Sequence, residues 1–444
     1  MVRGGQDIRD KNSPYLVPIA LLFAMLAAAV SGAACSGGGH QSAGSPGATA
    51  AFAPTIEPAP EPIVQLMDRV AAVRELKPPA SLKVGLVSRS DVPKLIDRLL
   101  SPEDRATMAK TTTLYRLLGL LGPDQSYLDV YRAYVAQALA GVYSPKDKAL
   151  WVVHPDGQAT DFAHLSTDEQ QVLEHELTHA IQDANFNLDS ISNSANGLDQ
   201  SLAATALVEG DAVTTQRNYD ARYKAMAVGG AVVLVDMARL AAGAPAAIQR
   251  ELTFPYTQGA DWVDGIRQRG GDSAVDALFR HVPEGTVFVF HPERIGTGWT
   301  PEVVTLPPIA ASLGSGWTEQ SSGQFGQFEV QNYLQIALPG LQAVQGADGW
   351  AGDHYAVYSH GDESVAVFRF MYDTPAHAQR FASTQRDLLK AQGAGMSVEG
   401  RRSTGTLSSG NTTVQLGTQG STVTFVIGSA AGLAQRAAAA LAHG

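Results

Sequence analysis

The run Val172-Leu173-Glu174-His175-Glu176-Leu177-Thr178-His179-Ala180-Ile181-Gln182 decides how this chain is read. Val172, Leu173, Leu177, Ala180 and Ile181 recur at helical spacing, and Ser166-Thr167-Asp168-Glu169 just upstream has the spacing of a capping box. No Pro or Gly interrupts the stretch until well past His179, so the pattern predicts a helix. Residues four apart on a helix share a face. His175 and His179 can therefore grip one zinc ion between two imidazoles while Glu176 faces a water beside it. The same two histidines could also be ordinary residues of a helix surface, but that reading gives no reason for a Glu between them.

A catalytic zinc takes a third protein ligand and keeps one open position. A metzincin-like continuation would require Gly at position 182 and His at 185, where Gln182 and Asn185 stand. Further on, Ala206-Leu207-Val208-Glu209-Gly210-Asp211-Ala212-Val213 sets a carboxylate in an apolar run. A buried carboxylate without a partner is costly, and a metal explains Glu209. Asp199 and Asp211 are rival third ligands. Asp211 otherwise accepts the far N–H of a ligand histidine and so sets its tautomer.

With these residues the chain resembles the gluzincin class of zinc metalloproteases, in which H-E-x-x-H on one helix is completed by a Glu from a following helix. The resemblance assigns His175, His179 and Glu209 as ligands of one Zn2+ and Glu176 as the general base. It implies a mainly helical, zincin-like metallopeptidase domain with a small β-sheet. The spacing departs from the thermolysin-like type, since Glu209 lies thirty residues beyond His179 and an Asp follows it at two positions, not four. Wider similarity to poorly characterised secreted bacterial H-E-x-x-H proteins rests on Gly141-Val142-Tyr143, Leu207 to Ala212, Pro255-Tyr256-Thr257-Gln258-Gly259, His291-Pro292-Glu293 and Gly349-Trp350-Ala351-Gly352-Asp353.

Around this centre the chain divides into parts. Arg3, Arg9 and Lys11 precede an uncharged run, Leu16 to Ala34, that ends in small residues before Cys35, the chain's one cysteine. Residues 1–34 thus resemble a bacterial lipoprotein signal, with Cys35 as the lipidated residue; Gly32 stands where that family usually has Leu. The run is also long enough for an uncleaved membrane anchor. Either reading, like simple secretion, puts the body outside the cytoplasm. Residues 35–59, dominated by Gly, Ser, Ala and Pro, form a flexible linker with a reach on the order of 25–30 Å. Residues 60–300 form the metal-bearing domain, 301–327 a Pro/Gly/Ser-rich connector, and 328–444 a smaller α+β accessory domain, so the whole chain is α+β.

Composition sets the outer limits. The 444 residues exceed one ordinary core, and 45% hydrophobic against 17% charged residues excludes wholesale disorder. A formal net charge of −11 has the wrong sign for nucleic-acid binding. The expected partners are a protein or peptide substrate and, through the N-terminus, a membrane.

For the oxyanion of amide hydrolysis the candidate donors are Tyr256, His281 and His291, each of which could as well be packing, capping or surface. Trp151 to His154 occupies the place of the edge strand that lies over zincin-like sites, where an extended peptide could add as a further strand. The leading expectation is a lipid-anchored zinc metallopeptidase. A zinc amidase acting on envelope material and a non-catalytic envelope-binding lipoprotein are the alternatives.

Overall fold

A computed structural model describes residues 24–26, 54–156, 160–195, 197–224, 243–407 and 411–443. The signal-like run apart from 24–26, Cys35 and most of the linker lie outside them. Among the described residues no helix is long and apolar enough to cross a membrane.

The chain is α+β, as expected. The first unit holds a five-stranded sheet of β1 (Ala24–Leu26), β2 (Ile56–Pro58), β3 (Lys83–Ser88), β4 (Leu139–Ser144) and β5 (Ala149–His154), in the order β1-β4-β5-β3-β2. Only β3 and β5 pair in parallel. The linker therefore ends earlier than its composition suggests, because Ile56–Pro58 pairs with the free side of β3 and Ile56 packs against the core. The edge-strand expectation for Trp151 to His154 is also corrected. β5 is hydrogen-bonded on both sides, so the strand next to the metal helix is β4, whose outer side pairs with Ala24–Leu26.

Helices α1 (Glu61–Arg74), α2 (Val92–Leu99), α3 (Pro102–Leu118) and α4 (Tyr127–Ala138) frame this sheet. α5 (Thr167–Phe186) begins at Ser166, whose hydroxyl accepts from the Glu169 backbone N–H while Glu169 returns the bond, completing the capping box. Its apolar stripe, Leu173, Leu177, Ala180 and Ile181, packs between Leu150 and Val152 of the sheet and Ile63, Leu66 and Val70 of α1. Burying each such side chain contributes about 1.5–3 kcal/mol, which fixes the rotation of the helix. The opposite face carries His175 and His179 toward α7 (Gly197–Tyr223), which follows the short α6 (Leu188–Ser194) and is buried along most of its length. α8 (Ala246–Thr253) leads through a 3-10 turn (Phe254–Tyr256) into α9 (Gln258–Arg280), and the turn and α9 pack against α7.

Glycine sets two close approaches near the centre. A Cβ on Gly141 would stand 3.0 Å from Val172 Cγ1 and 3.3 Å from Glu176 Cγ, so β4 can lie directly on α5. A Cβ on Gly210 would meet the Gly259 carbonyl oxygen at 2.4 Å, and one on Gly259 would meet that of Ala206 at 2.6 Å, so α7 and α9 cross backbone to backbone.

The second unit is a seven-stranded antiparallel sheet, in the order β6-β7-β8-β12-β11-β10-β9. Its strands are β6 (Thr318–Gly323), β7 (Trp350–His360), β8 (Glu363–Tyr372), β9 (Gly395–Glu399), β10 (Arg402–Thr406), β11 (Thr413–Gln419) and β12 (Thr422–Gly428). β6 belongs to the stretch expected as connector: its Ser and Gly residues read as loop, yet they pair with β7. Two helices, α10 (Gly326–Leu334) and α11 (Gly340–Ala347), follow β6 and are interrupted before Pro339. α12 (Pro375–Ala391), capped by Thr374, and α13 (Leu433–His443) complete the unit. One continuous core joins the units, with Leu114, Tyr115 and Tyr127 in the same cluster as Tyr333, Phe368 and Phe425.

Candidate metal centre

Helix α5 aims the two imidazoles at the middle of α7. His175 Nε2 lies 2.9 Å from Glu209 Oε2 and 3.0 Å from His179 Nε2, and His179 Nε2 lies 3.5 Å from the same carboxylate oxygen. All three residues are fully buried. An ion held tetrahedrally at about 2.0–2.1 Å spaces its ligand atoms roughly 3.3–3.4 Å apart, so this triangle has the size of one face of such a site. The buried Glu209 Oε1 has no hydrogen-bond partner. The residues fit a metal ion, and this buried group of His175, His179 and Glu209 could hold one.

The charges agree with a cationic occupant. Burial alone would raise Glu209, but His179 and His175 outweigh it and hold the carboxyl below its ordinary range. Burial alone would lower His179, yet Glu209 pushes it up to about 9. At His175 burial prevails over the same carboxylate, and the imidazole falls to about 4. A metal takes neutral imidazoles, so a proton held on His179 must leave when one binds.

Around the triad the structure orders the expected residues differently from the sequence. Asp199 is not a ligand: its carboxylate accepts the Thr286 backbone N–H (3.1 Å), the Thr286 hydroxyl and Gln324 Nε2 (2.8 Å), away from the histidines. Asp211 touches neither histidine. It accepts Arg74 Nε (2.8 Å), Arg267 Nη2 (2.5 Å) and Gln182 Nε2 (2.9 Å), and the two guanidiniums hold it below its usual range despite its burial. The far N–H of His179 is instead bound by Gln182, whose Oε1 lies 2.8 Å from Nδ1. The chain His179–Gln182–Asp211–Arg74/Arg267 turns Nε2 of His179 toward the triad. Gln182 was legible in principle, since it sits one turn from His179 on the same helix. Arg74 and Arg267 come from distant helices and give no local signal.

Glu176 is fully buried beside the triad, and the Tyr143 backbone N–H donates to its Oε2 at 2.7 Å. Its charge acts on both His179 and Tyr256. Tyr256, on a 3-10 turn (Phe254–Tyr256) between α8 and α9, places its ring 6.2 Å from that of His175. Burial and Glu209, to which its hydroxyl is hydrogen-bonded, raise it well above the ordinary tyrosine value. The Gly210–Gly259 crossing brings Tyr256 there, since it holds the start of α9 against the residue after Glu209.

The other histidines go elsewhere. His291 pairs with Glu293 (3.3 Å) and Gln327 (3.3 Å), and His281 lines a separate cleft. His164 is exposed against Asp161, and His154 bonds the Pro155 carbonyl. Trp350 packs: it is buried, and its indole N–H donates to Asp353, whose carboxylate also accepts the Phe325 and Gly326 backbone N–H groups at the start of α10.

Compared with known proteins, the chain matches a family model over residues 315–438, described as a domain of unknown function (DUF8575). No curated protein and no solved structure matches it.

Proposed function

We propose that this chain is a zinc-dependent metallopeptidase of zincin-like architecture, hydrolysing peptide bonds of extracytoplasmic proteins or peptides, with the body held at a membrane through Cys35. The observation that carries the reading is the buried triangle of His175 Nε2, His179 Nε2 and Glu209 Oε2, with Glu176 at its side.

When bound, zinc would polarise the scissile carbonyl and make a water acidic enough to attack at neutral pH. Glu176 accepts the proton of that water and returns it to the leaving nitrogen. The Tyr143 N–H keeps one carboxylate oxygen fixed so that the group need not reorganise between the two transfers. Tyr256 donates its hydroxyl proton to the developing oxyanion, a role for which a buried, un-ionised phenol is suited. His291, bound to Glu293 and Gln327, is not part of this scheme.

Elemental analysis of purified protein tests the centre. About one zinc per chain is expected, lost in Glu209→Ala and kept in Asp199→Ala. Glu176→Gln should retain the metal and abolish peptide cleavage; a Glu176→Gln protein that cleaves at the wild-type rate sinks the assignment.

A further inference from the structure

A second cavity lies apart from the metal triad. A cleft of about 640 Å³ opens between the C-terminal half of α9 and residues 281–300. That size falls among small-molecule sites, which run from about 300 to 1,000 Å³. Its walls are apolar: Ile266, Leu278 and Phe288 are buried in them, and Trp299 stands edge-on to Phe288 at 5.6 Å.

Two guanidiniums line this apolar space. Arg294 stands over Trp299, its Cζ 4.2 Å from the ring centroid, a cation–π contact that holds the guanidinium beside the apolar wall. Its Nη1 is buried and has no hydrogen-bond acceptor. Arg269 lines the same cleft, and among the described residues neither arginine forms an ion pair. The lining also includes the exposed Glu284 and His281, yet Glu284 pairs with neither arginine. A buried donor without an acceptor is destabilising, and a ligand oxygen would supply the missing partner. In a chain of net charge −11, unpaired guanidiniums beside apolar walls select for negative charge on an apolar body.

We infer that this cleft binds an anionic amphiphile, a medium-chain alkyl carboxylate, with the carboxylate on Arg294 and the chain along Ile266, Phe288 and Trp299. None of these residues belongs to the metal centre, so the site stands whether or not the protein is a peptidase. Trp299 and Phe288 in the lining supply apolar contact for the methylenes, while a guanidinium fork recognises a carboxylate through two parallel bonds.

The test is calorimetric titration of the full chain with dodecanoate below its micellar concentration, against dodecan-1-ol and dodecyltrimethylammonium. Dodecanoate should bind one per chain, about tenfold or more tighter than the alcohol, as expected for one charge-assisted hydrogen-bonded pair. Arg294→Gln should bring dodecanoate down to the level of the alcohol and leave the alcohol unchanged. Arg294→Lys, which keeps the charge and loses the fork, should fall between, and it serves if the glutamine variant does not fold. Equal binding of dodecanoate and dodecyltrimethylammonium, or an unaltered Arg294→Gln, overturns the proposal. So does loss of dodecanoate binding in EDTA, which would put the carboxylate on the metal instead.

Discussion

The residues that matter most act through one another. His179 owes its orientation to Gln182, and Gln182 owes its own to Asp211, which two arginines keep ionised in a buried site. Gln182→Leu removes all three hydrogen bonds of the amide, to His179, Asp211 and the Val208 carbonyl, at similar volume, and metal affinity should fall about 10–100-fold in a chelator competition. Tyr256→Phe removes only a hydroxyl. It should keep the metal and lower kcat by about 10²–10³, with little change in KM, as expected when a donor is lost that acts on the transition state. His175, Glu176 and His179 were legible because a helix of known period translates sequence spacing into geometry, whereas Glu209 was legible only as one of three candidate carboxylates. Asp211 was legible as important but not in its role, since its partners Arg74 and Arg267 come from α1 and α9. His291 is bound to Glu293 and Gln327, and nothing in its local sequence indicates the second of these partners.

At the scale of elements the centre depends on how closely α7 and α9 approach. Their crossing at Gly210 and Gly259 leaves no room for a methyl group, so Gly259→Ala should cost about 1–3 kcal/mol in chemical denaturation and move Tyr256 away from Glu209. Gly395→Ala, where an added Cβ meets nothing within 4 Å, is the matched control and should change stability by no more than about 0.5 kcal/mol. Helix positions were readable because their stripes and caps are local, as at Ser101 with Asp104 and at Ser166 with Glu169. Strands β6, β9 and β10 were not: Thr318-Glu319-Gln320-Ser321-Ser322-Gly323 carries no alternating apolar pattern, and only the partner strand β7 makes it a strand. The same holds for β5, whose composition suits an edge or a central strand equally, until β3 and β4 occupy both its sides.

Across the whole molecule the two units meet over buried carboxyls. The Tyr115 hydroxyl lies between Glu251 (3.1 Å) and Glu329 (3.0 Å), with one proton to give, while Tyr127 donates to Glu251 and Asn332 to Glu329. Burial raises both glutamates, and Arg250, the cation nearby, is bound to Asn332. Burial likewise pushes Asp199 up to about 6 and Asp353 up to about 7, each against its hydrogen bonds. A carboxyl whose pKa is higher folded than unfolded stabilises fully below its unfolded value, and that contribution disappears as pH rises through the folded value. The contact between the units should therefore weaken between about pH 5 and pH 8, seen as a falling Tm. Glu329→Gln should make that slope shallower, and an unchanged slope would remove the carboxyl pair from the account.

The sequence by itself determined the helix that carries His175, Glu176 and His179, its N-terminal cap, and the α+β character of both halves. These depend on neighbours within a few residues, where the geometry of one helix turn or one hairpin is fixed by the backbone. Only the tertiary structure decided between Glu209, Asp199 and Asp211, because all three carboxylates lie on α7 and differ only in what stands opposite: two histidines, a threonine with a glutamine, or two arginines. Burial makes that choice chemical. In a dry interior a carboxylate is retained only where a cation or a set of donors meets it, and the partners come from parts of the chain far apart in sequence.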